Sequence, residues 1–296
     1  MKKFLLIMLC FFIFSSTQVF ASSSSLNGNM TDYERYKQLG FSDQEISDMT
    51  DEVKSRLEGM NGVLVESKER YYRVTETVMN AFDEKALVSP TSVEITKEQA
   101  YKELAEDLAN PISVMSGWGS DQTSTSWMKM TTSYSSLGGG RYYIKNSFDW
   151  LKKPMWTLTD VVALTYSGSA TFEGGSDFAV YNYDVYNSRN QFQETKTASQ
   201  FGTPHRNRHG LAFEIDLIGD WATPFAQHKN HRGYVSATIG KTNAFDLRAG
   251  IFGHYSHAQV ELLSTLIINI KGGGDLEVKN SISMDHMPVT AITIEY

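Results

Sequence analysis

The residues best suited to chemistry in this sequence are its histidines. There are seven, and all of them follow residue 204. Six form close pairs and one stands alone, in the order His205 and His209, His228 and His231, His254 and His257, and His286. Pairs spaced three or four residues apart bind metals when a helix places both on one face. None of these pairs lies in a helical pattern, so the sequence predicts no resident metal and no other cofactor, although strand and loop histidines could still meet in space.

The stretch "FGHYSH", residues 252–257, continues the alternation of a strand. Residues three apart on a strand point to opposite faces. His257 has the same parity as its apolar neighbours Ile251 and Tyr255, whereas His254 does not. We therefore expect one histidine to be packed in a core and the other to be exposed, unless a bulge at a nearby glycine realigns them.

Three residues of the histidine-bearing segments are the candidate binding residues: His231, Arg232 and His254. They combine two imidazoles with a guanidinium, and we expect them to contribute to one binding surface. Since an unperturbed imidazole titrates near pH ~6.5, we also expect the region that carries all the histidines to be sensitive to pH in that range.

The sequence gives less support to a hydrolytic site than to a binding surface. Glu214 and Asp216 lie two residues apart on a predicted strand, roughly 7 Å from each other, which is compatible with a glycosidase carboxylate pair. A solvated strand face explains the same pattern and is the interpretation we favour. Ser120 and Asp121 lie in the turn-like "GWGSD", but nothing marks a base for them. The sequence has no H-E-x-x-H helix and no G-x-S-x-G elbow, so we predict no catalytic residue and no enzymatic activity.

Two other patterns allow alternative interpretations. Residues 142–186 are rich in aromatic side chains, which can stack on sugars but also fill sandwich cores. The alternating, Ser/Thr-rich stretch 124–150 has the length and period of a membrane-inserting hairpin, and a soluble strand pair has the same pattern.

The N-terminus has the features of a secretory signal peptide over residues 1–21. Lys2 and Lys3 precede an apolar run, and Ala21 ends a cleavage-site pattern. The single cysteine, Cys10, lies in this segment, so the mature chain would have no disulfide, as is common in Gram-positive exported proteins. We expect a secreted, extracellular protein with no stable transmembrane segment after signal removal.

The charge of the mature chain limits its partners. Without Lys2 and Lys3, 25 basic and 34 acidic residues remain, a net charge of −9. This charge argues against a nucleic-acid partner and against simple electrostatic adsorption to anionic lipid. The expected partner is a target-cell surface component or a cell-wall glycan.

The elements that would position these residues divide at about residue 111. Residues 22–111 are predicted to be a flexible leader and a mainly helical N-terminal region, with a capping box in "SDQE" (42–45) and a second capped helix after Thr96. Between these helices, "GVLVESKERYYRVTETV" predicts a short hairpin that turns at Glu66–Glu69.

Period-two alternation dominates residues 112–296. "SWMKMTTSYSS" and "RYYIKNSFDW" flank "LGGG" and predict a hairpin. About ten strand-like segments with Gly- and Asn-rich turns, and no helix among them, predict an antiparallel sandwich. The predicted fold class is α+β, with a short helical N-terminal region followed by an antiparallel all-β sandwich.

Several segments together resemble a group of secreted Bacillaceae proteins. They are "YKQLGFSDQEISDMTDEV", "SWMKMTTSYSSLGGGRYYIKNSFDWLKKP" followed by "TDVVAL", "NHRGYVSATIG" and "GHYSHAQ". The group comprises the large, heat-labile bacteriocin proteins of the geobacillin type and their mostly uncharacterised relatives. The resemblance is one of pattern over nearly the whole mature chain, and it transfers no functional residue. It implies a non-enzymatic antibacterial protein that acts on related Gram-positive bacteria. A cell-wall or glycan-binding module and a secreted hydrolase with a carboxylate pair are the alternatives.

Overall fold

The computed structural model describes residues 30–78, 91–110, 122–168, 170–223, 225–243, 247–259, 266–279 and 284–296. Asp32–Tyr296 forms one compact unit with an α+β fold, in which short helices near the N-terminus accompany antiparallel sheets. The predicted signal peptide and nearly all of the predicted leader lie outside the described residues.

The helices and strands are short to moderate in length, apart from three long strands. The described α-helices are α1 (Asp32–Gln38), α2 (Asp43–Ser47), α3 (Asp51–Arg56) and α4 (Lys97–Ala109), and Asp220–Ala222 forms one turn of 3-10 helix. The described strands are β1 (Val63–Val78), β2 (Thr91–Ile95), β3 (Gln122–Gly138), β4 (Arg141–Trp150), β5 (Thr159–Ser167), β6 (Ala170–Phe172), β7 (Phe178–Asn187), β8 (Phe192–Phe201), β9 (His205–Asn207), β10 (Gly210–Asp216), β11 (Ala226–Lys241), β12 (Arg248–Ala258), β13 (Ile267–Ile270), β14 (Leu276–Lys279), β15 (Met284–His286) and β16 (Thr290–Glu295).

The strands form two facing sheets and one small hairpin. The large sheet has the order β2-β1-β3-β4-β11-β7-β8, with β6 also paired to β11. The small sheet has the order β15-β12-β5-β10-β9, with β16 also paired to β12. Strands β13 and β14 pair only with each other in the described part of the chain. The two main sheets are antiparallel throughout their described pairings, as the sequence predicts for a sandwich.

Because side chains alternate along each strand, the two faces of a sheet pack against different hydrophobic cores. The main core lies between the two sheets and includes Phe148, Trp150, Leu164, Phe213, Val235 and Ile251. The opposite face of the large sheet is covered by the N-terminal helices, which contribute Tyr36, Leu39, Phe41, Val53 and Leu57. The opposite face of the small sheet is covered by the β13–β14 hairpin. Both sheets are therefore buried on two faces over much of their area.

One predicted turn is wrong. Residues 63–78 do not form a hairpin turning at Glu66–Glu69 but a single strand, β1, which pairs with β3 along its whole length. The only register shift lies between Leu64 and Glu66. The segment contains no glycine, proline or asparagine to reverse the chain, and a 17-residue partner strand stabilises the extended form. Part of the predicted helical region 22–111 thus belongs to the large sheet.

The predicted hairpin of β3 and β4 is confirmed. Three successive glycines, Gly138, Gly139 and Gly140, have φ values of +80°, +63° and +76°, and they connect the two strands. The outer edges of this hairpin pair with β1 and β11, so it lies in the middle of the large sheet. No described helix is long and apolar enough to cross a membrane.

A polar contact joins the two sheets through the core. The Asn146 side-chain amide donates to the backbone oxygens of Ala163 and His254, at 3.3 and 3.1 Å. This approach requires a glycine at residue 253, because a Cβ there would lie 2.1 Å from Thr132 Oγ1. The glycine of "FGHYSH" therefore sets the spacing between the sheets.

Candidate functional site

An open cavity lies where the N-terminal helices meet the large sheet. We call it the helix–sheet groove, and it is lined by Lys37 and Asp43 of the helices and by Ser67, Lys129, Thr131 and Asp149 of the sheet. Its volume is about 450 Å³, which falls within the range of small-ligand pockets.

Short side chains create the space beneath the helices. Thr131 pairs in register with Ser147 on the neighbouring strand, and Ser67 lies on the same outer face of the sheet. These short hydroxyl side chains line the cavity on the side of the sheet. Gly40 lets that turn approach closely, since its φ is +84° and a Cβ would lie 3.0 Å from Ser133 Oγ.

A buried ion pair anchors α2 at the base of the groove. Glu45 completes the predicted capping box by accepting from the Ser42 backbone, and it also accepts from Lys145 Nζ at 2.6 Å and Ser147 Oγ at 2.7 Å. Lys145 is 2% exposed, and its Nζ lies 4.4 Å from the centre of the Phe41 ring. Burial opposes ionisation of Glu45, but the Lys145 ammonium and the donated hydrogen bonds lower its pKa on balance. Burial also lowers the pKa of Lys145.

A second ion cluster lies beside the first. The Arg232 guanidinium donates to Asp48 at 2.7 Å and to Asp184 at 3.0 Å. Asp48 follows α2 and Asp184 lies on β7, so Arg232 ties the helical segment to the sheet. Burial works against the charge, but the two carboxylates raise the pKa of Arg232. This residue therefore stays charged and fixed in orientation.

The accessible charges of the groove are nearly balanced. Lys37 lies 2.9 Å from Asp43, and Lys129 lies 3.3 Å from Asp149. Glu69 adds a further exposed carboxylate. A groove with alternating donors and acceptors and little net charge suits a polar, hydroxyl-rich ligand better than a polyanion.

The three candidate binding residues do not share an exposed surface. His231 is 0% exposed and hydrogen-bonds to the Tyr181 hydroxyl through Nδ1 at 2.7 Å. Arg232 borders the groove, whereas His254 lies on β12 of the small sheet. His231 has the same parity as Val235, Ala237 and Ile239 of β11, which face the main core, so its burial follows the alternation of the strand.

His254 borders a second cavity on the outer face of the small sheet. Thr165 Oγ1 donates to the Gly274 carbonyl at 2.8 Å, so it accepts from His254 Nε2, also at 2.8 Å. This cavity has a volume of about 330 Å³ and also includes Ser256 and His286. The prediction that His254 and His257 point to opposite faces is confirmed. The predicted exposure of one of them is wrong, because His254 is only 7% exposed beneath the loop that joins β13 and β14.

A buried charge cluster around His257 was not anticipated from the sequence. Its Nδ1 lies 3.0 Å from Asp160 and its Nε2 lies 3.1 Å from Glu76, and all three side chains are 0% exposed. Burial disfavours the imidazolium, but the two carboxylates raise the pKa of His257 to about 10. Tyr255 also donates to Asp160, at 2.5 Å. The cluster joins β1, β5 and β12, and no solvent-borne substrate reaches it in this conformation.

The predicted pH sensitivity near 6.5 does not come from titration of the three deeply buried histidines in the folded protein. Burial lowers the pKa of His231 and of His254 to about 4 in each case. His257 is raised to about 10. In the folded protein, therefore, none of these three changes charge between pH 5 and 8.

The proposed carboxylate pair is already engaged in local contacts. Glu214 accepts from His205 Nε2 at 2.8 Å, and Asp216 accepts from the Thr159 hydroxyl at 2.5 Å. Ser120 and Asp121 lie outside the described residues. Across the described ranges, no three His, Cys, Asp or Glu side chains are grouped to hold a metal ion.

The aromatic-rich stretch 142–186 mostly fills the cores. Its buried members are Tyr143, Phe148, Trp150, Tyr166, Phe178 and Tyr181. These rings are not available to stack on a sugar from solution. No protein-family model and no curated protein matches this chain.

Proposed function

We propose that this chain is a secreted, non-enzymatic antibacterial protein that recognises a component of the surface of related Gram-positive bacteria. The observation that carries the proposal is the helix–sheet groove, a preformed polar cavity on a folded unit. Its floor and walls come from rigid elements, because buried ion pairs at Glu45 and Arg232 fix α2 against the sheet. Such preorganisation favours recognition of a defined ligand.

The groove chemistry indicates the class of surface component. The groove is lined by the hydroxyl groups of Ser67 and Thr131 together with the ion pairs of Lys37 and Lys129. This mixture suits a cell-wall saccharide, which offers many hydroxyl donors and acceptors and little charge. We propose the antibacterial outcome of that recognition from the resemblance in sequence pattern to the geobacillin-type proteins.

Purified protein spotted on lawns of related strains tests the antibacterial proposal. We expect zones of clearing at micromolar protein, and loss of clearing after heating, because killing depends on the folded groove. Absence of clearing on every related strain would refute the antibacterial function.

A cell-wall or glycan-binding module without killing activity is the second candidate, and the polar groove favours it as well. Sedimentation with insoluble peptidoglycan measures binding separately from killing. Binding without clearing would support this second candidate. Ser67→Tyr fills the groove at an exposed position and should abolish binding, whereas Thr293→Tyr, at an exposed position of β16, should not.

A further inference from the structure

An exposed aromatic tip lies at the end of the large sheet where β7, β8 and β11 meet. Phe225 directly precedes β11 and is 87% exposed, and Phe192 begins β8 and is 54% exposed. Because β7 lies between β8 and β11, the two phenylalanines lie at strand ends about 10 Å apart. We call this surface the Phe192–Phe225 tip.

The backbone of Phe225 is strained. Its φ is +64°, and the other described non-glycine residues with positive φ are Asn190 and Asn230. Asparagine tolerates this left-handed conformation, whereas a bulky aromatic residue rarely adopts it. The turn therefore holds a large apolar ring in water at a cost to stability, which is typical of a residue retained for binding.

The surface around the tip carries a net positive charge. The nearby acids Asp184, Asp220 and Glu194 are paired with Arg232, Lys153 and Lys196. Arg189, at the β7–β8 turn, is exposed. Lys229 contacts only uncharged groups in the described residues, with its Nζ 2.6 Å from Asn190 Oδ1 and 5.1 Å from the centre of the Tyr186 ring.

We propose that the Phe192–Phe225 tip docks the protein onto the anionic lipid surface of a bacterial membrane. The two phenyl rings enter the interfacial region, and Arg189 and Lys229 face lipid phosphates. The negative charge of the whole chain does not prevent this contact, since charges beyond about 8 Å are largely screened at physiological ionic strength. The proposal concerns a surface separate from the groove, and it does not depend on antibacterial activity.

The test measures binding of the purified protein to lipid vesicles by flotation. One set contains phosphatidylglycerol and phosphatidylethanolamine, and the other contains phosphatidylcholine alone. We expect binding to the anionic vesicles, weaker binding to phosphatidylcholine, and a reduction of about five-fold for Arg189→Gln. Failure of the protein to bind anionic vesicles would overturn the proposal.

Phe225→Asn separates membrane docking from folding. Asparagine relieves the strained backbone, so this variant should be at least as stable as the wild type, yet its vesicle affinity should fall about ten-fold or more. The matched control is Leu247→Asn, which removes a 74% exposed apolar side chain before β12 and should bind normally. Equal vesicle affinity of Phe225→Asn and wild type would contradict the proposal. A different outcome is that the protein binds intact cells through Phe225 without binding vesicles. If protease treatment of the cells then removed this binding, the partner would be a protein of the cell surface.

Discussion

Replacement of His257 by glutamine tests the buried charge cluster. Glutamine is close to histidine in size and can still donate a hydrogen bond, but it cannot supply the positive charge between Glu76 and Asp160. The two carboxylates would then remain buried without a counter-charge, and breaking a buried ion pair in this way typically costs 3–5 kcal/mol.

The raised pKa of His257 gives a second measure of how much the charge cluster stabilises the fold. The folded pKa of His257 is about 10, compared with 6.5 in the unfolded chain. At pH 7 the three intervening pH units correspond to about 4 kcal/mol of stabilisation, at about 1.4 kcal/mol per unit. A raised histidine pKa stabilises fully below pH 6.5, and this stabilisation is lost as the pH rises through 10.

Thermal and urea unfolding followed by circular dichroism measure the effect. For a domain of this size, about 4 kcal/mol lowers the melting temperature by about 8–16 °C. The difference between wild type and His257→Gln should narrow in acid, because protonation of Glu76 or Asp160 removes the unpaired charge. His286→Gln, at an exposed histidine, is the control and should change little. A folded His257→Gln protein within 1 kcal/mol of wild type, or a difference that does not vary with pH, would refute this account of the cluster.

Three further predictions concern stability. Burial holds the pKa of His231 and His254 at about 4, so their contribution to the free energy of unfolding is full above pH 6.5 and falls as the pH drops toward 4. Lowering the pH from 7 to 5 should reduce the free energy of unfolding by roughly 2 kcal/mol for each histidine. Urea midpoints that are unchanged between these pH values would contradict this. Gly253→Ala should destabilise the fold by about 3 kcal/mol or more, because its Cβ would lie 2.1 Å from Thr132 Oγ1. The control is Gly240→Ala, which has open space around it and should melt near the wild-type temperature. Glu45→Gln should cost about 3 kcal/mol and increase proteolysis within residues 30–60, whereas Asp51→Asn, which removes an exposed pair with Lys54, should have no effect.

Local patterns in the sequence predicted several elements correctly. The capping box at Ser42 and the β3–β4 hairpin depend on residues close together in the chain, so short-range rules suffice for them. The parity of His254 and His257 is also correct, because β12 pairs with β5 without a bulge. These features need no knowledge of the tertiary fold.

Long-range contacts could not be predicted in the same way. His257 pairs with Glu76, which is 181 residues away, and nothing local distinguishes Glu76 from the solvated acids of β1. Lys145 likewise has the pattern of an exposed strand residue until α2 covers it and brings Glu45 to its ammonium. The hydrogen bond of His231 to Tyr181, 50 residues away, is also set by the pairing of β11 with β7.

The most direct test of the proposed function is clearing of lawns of a sensitive related strain by the wild type, Ser67→Tyr and Thr293→Tyr proteins at equal concentration. Circular dichroism first establishes that all three proteins are folded. We predict that Ser67→Tyr, with the helix–sheet groove filled, loses clearing, while Thr293→Tyr clears as the wild type does. Full clearing by folded Ser67→Tyr would contradict recognition through the groove.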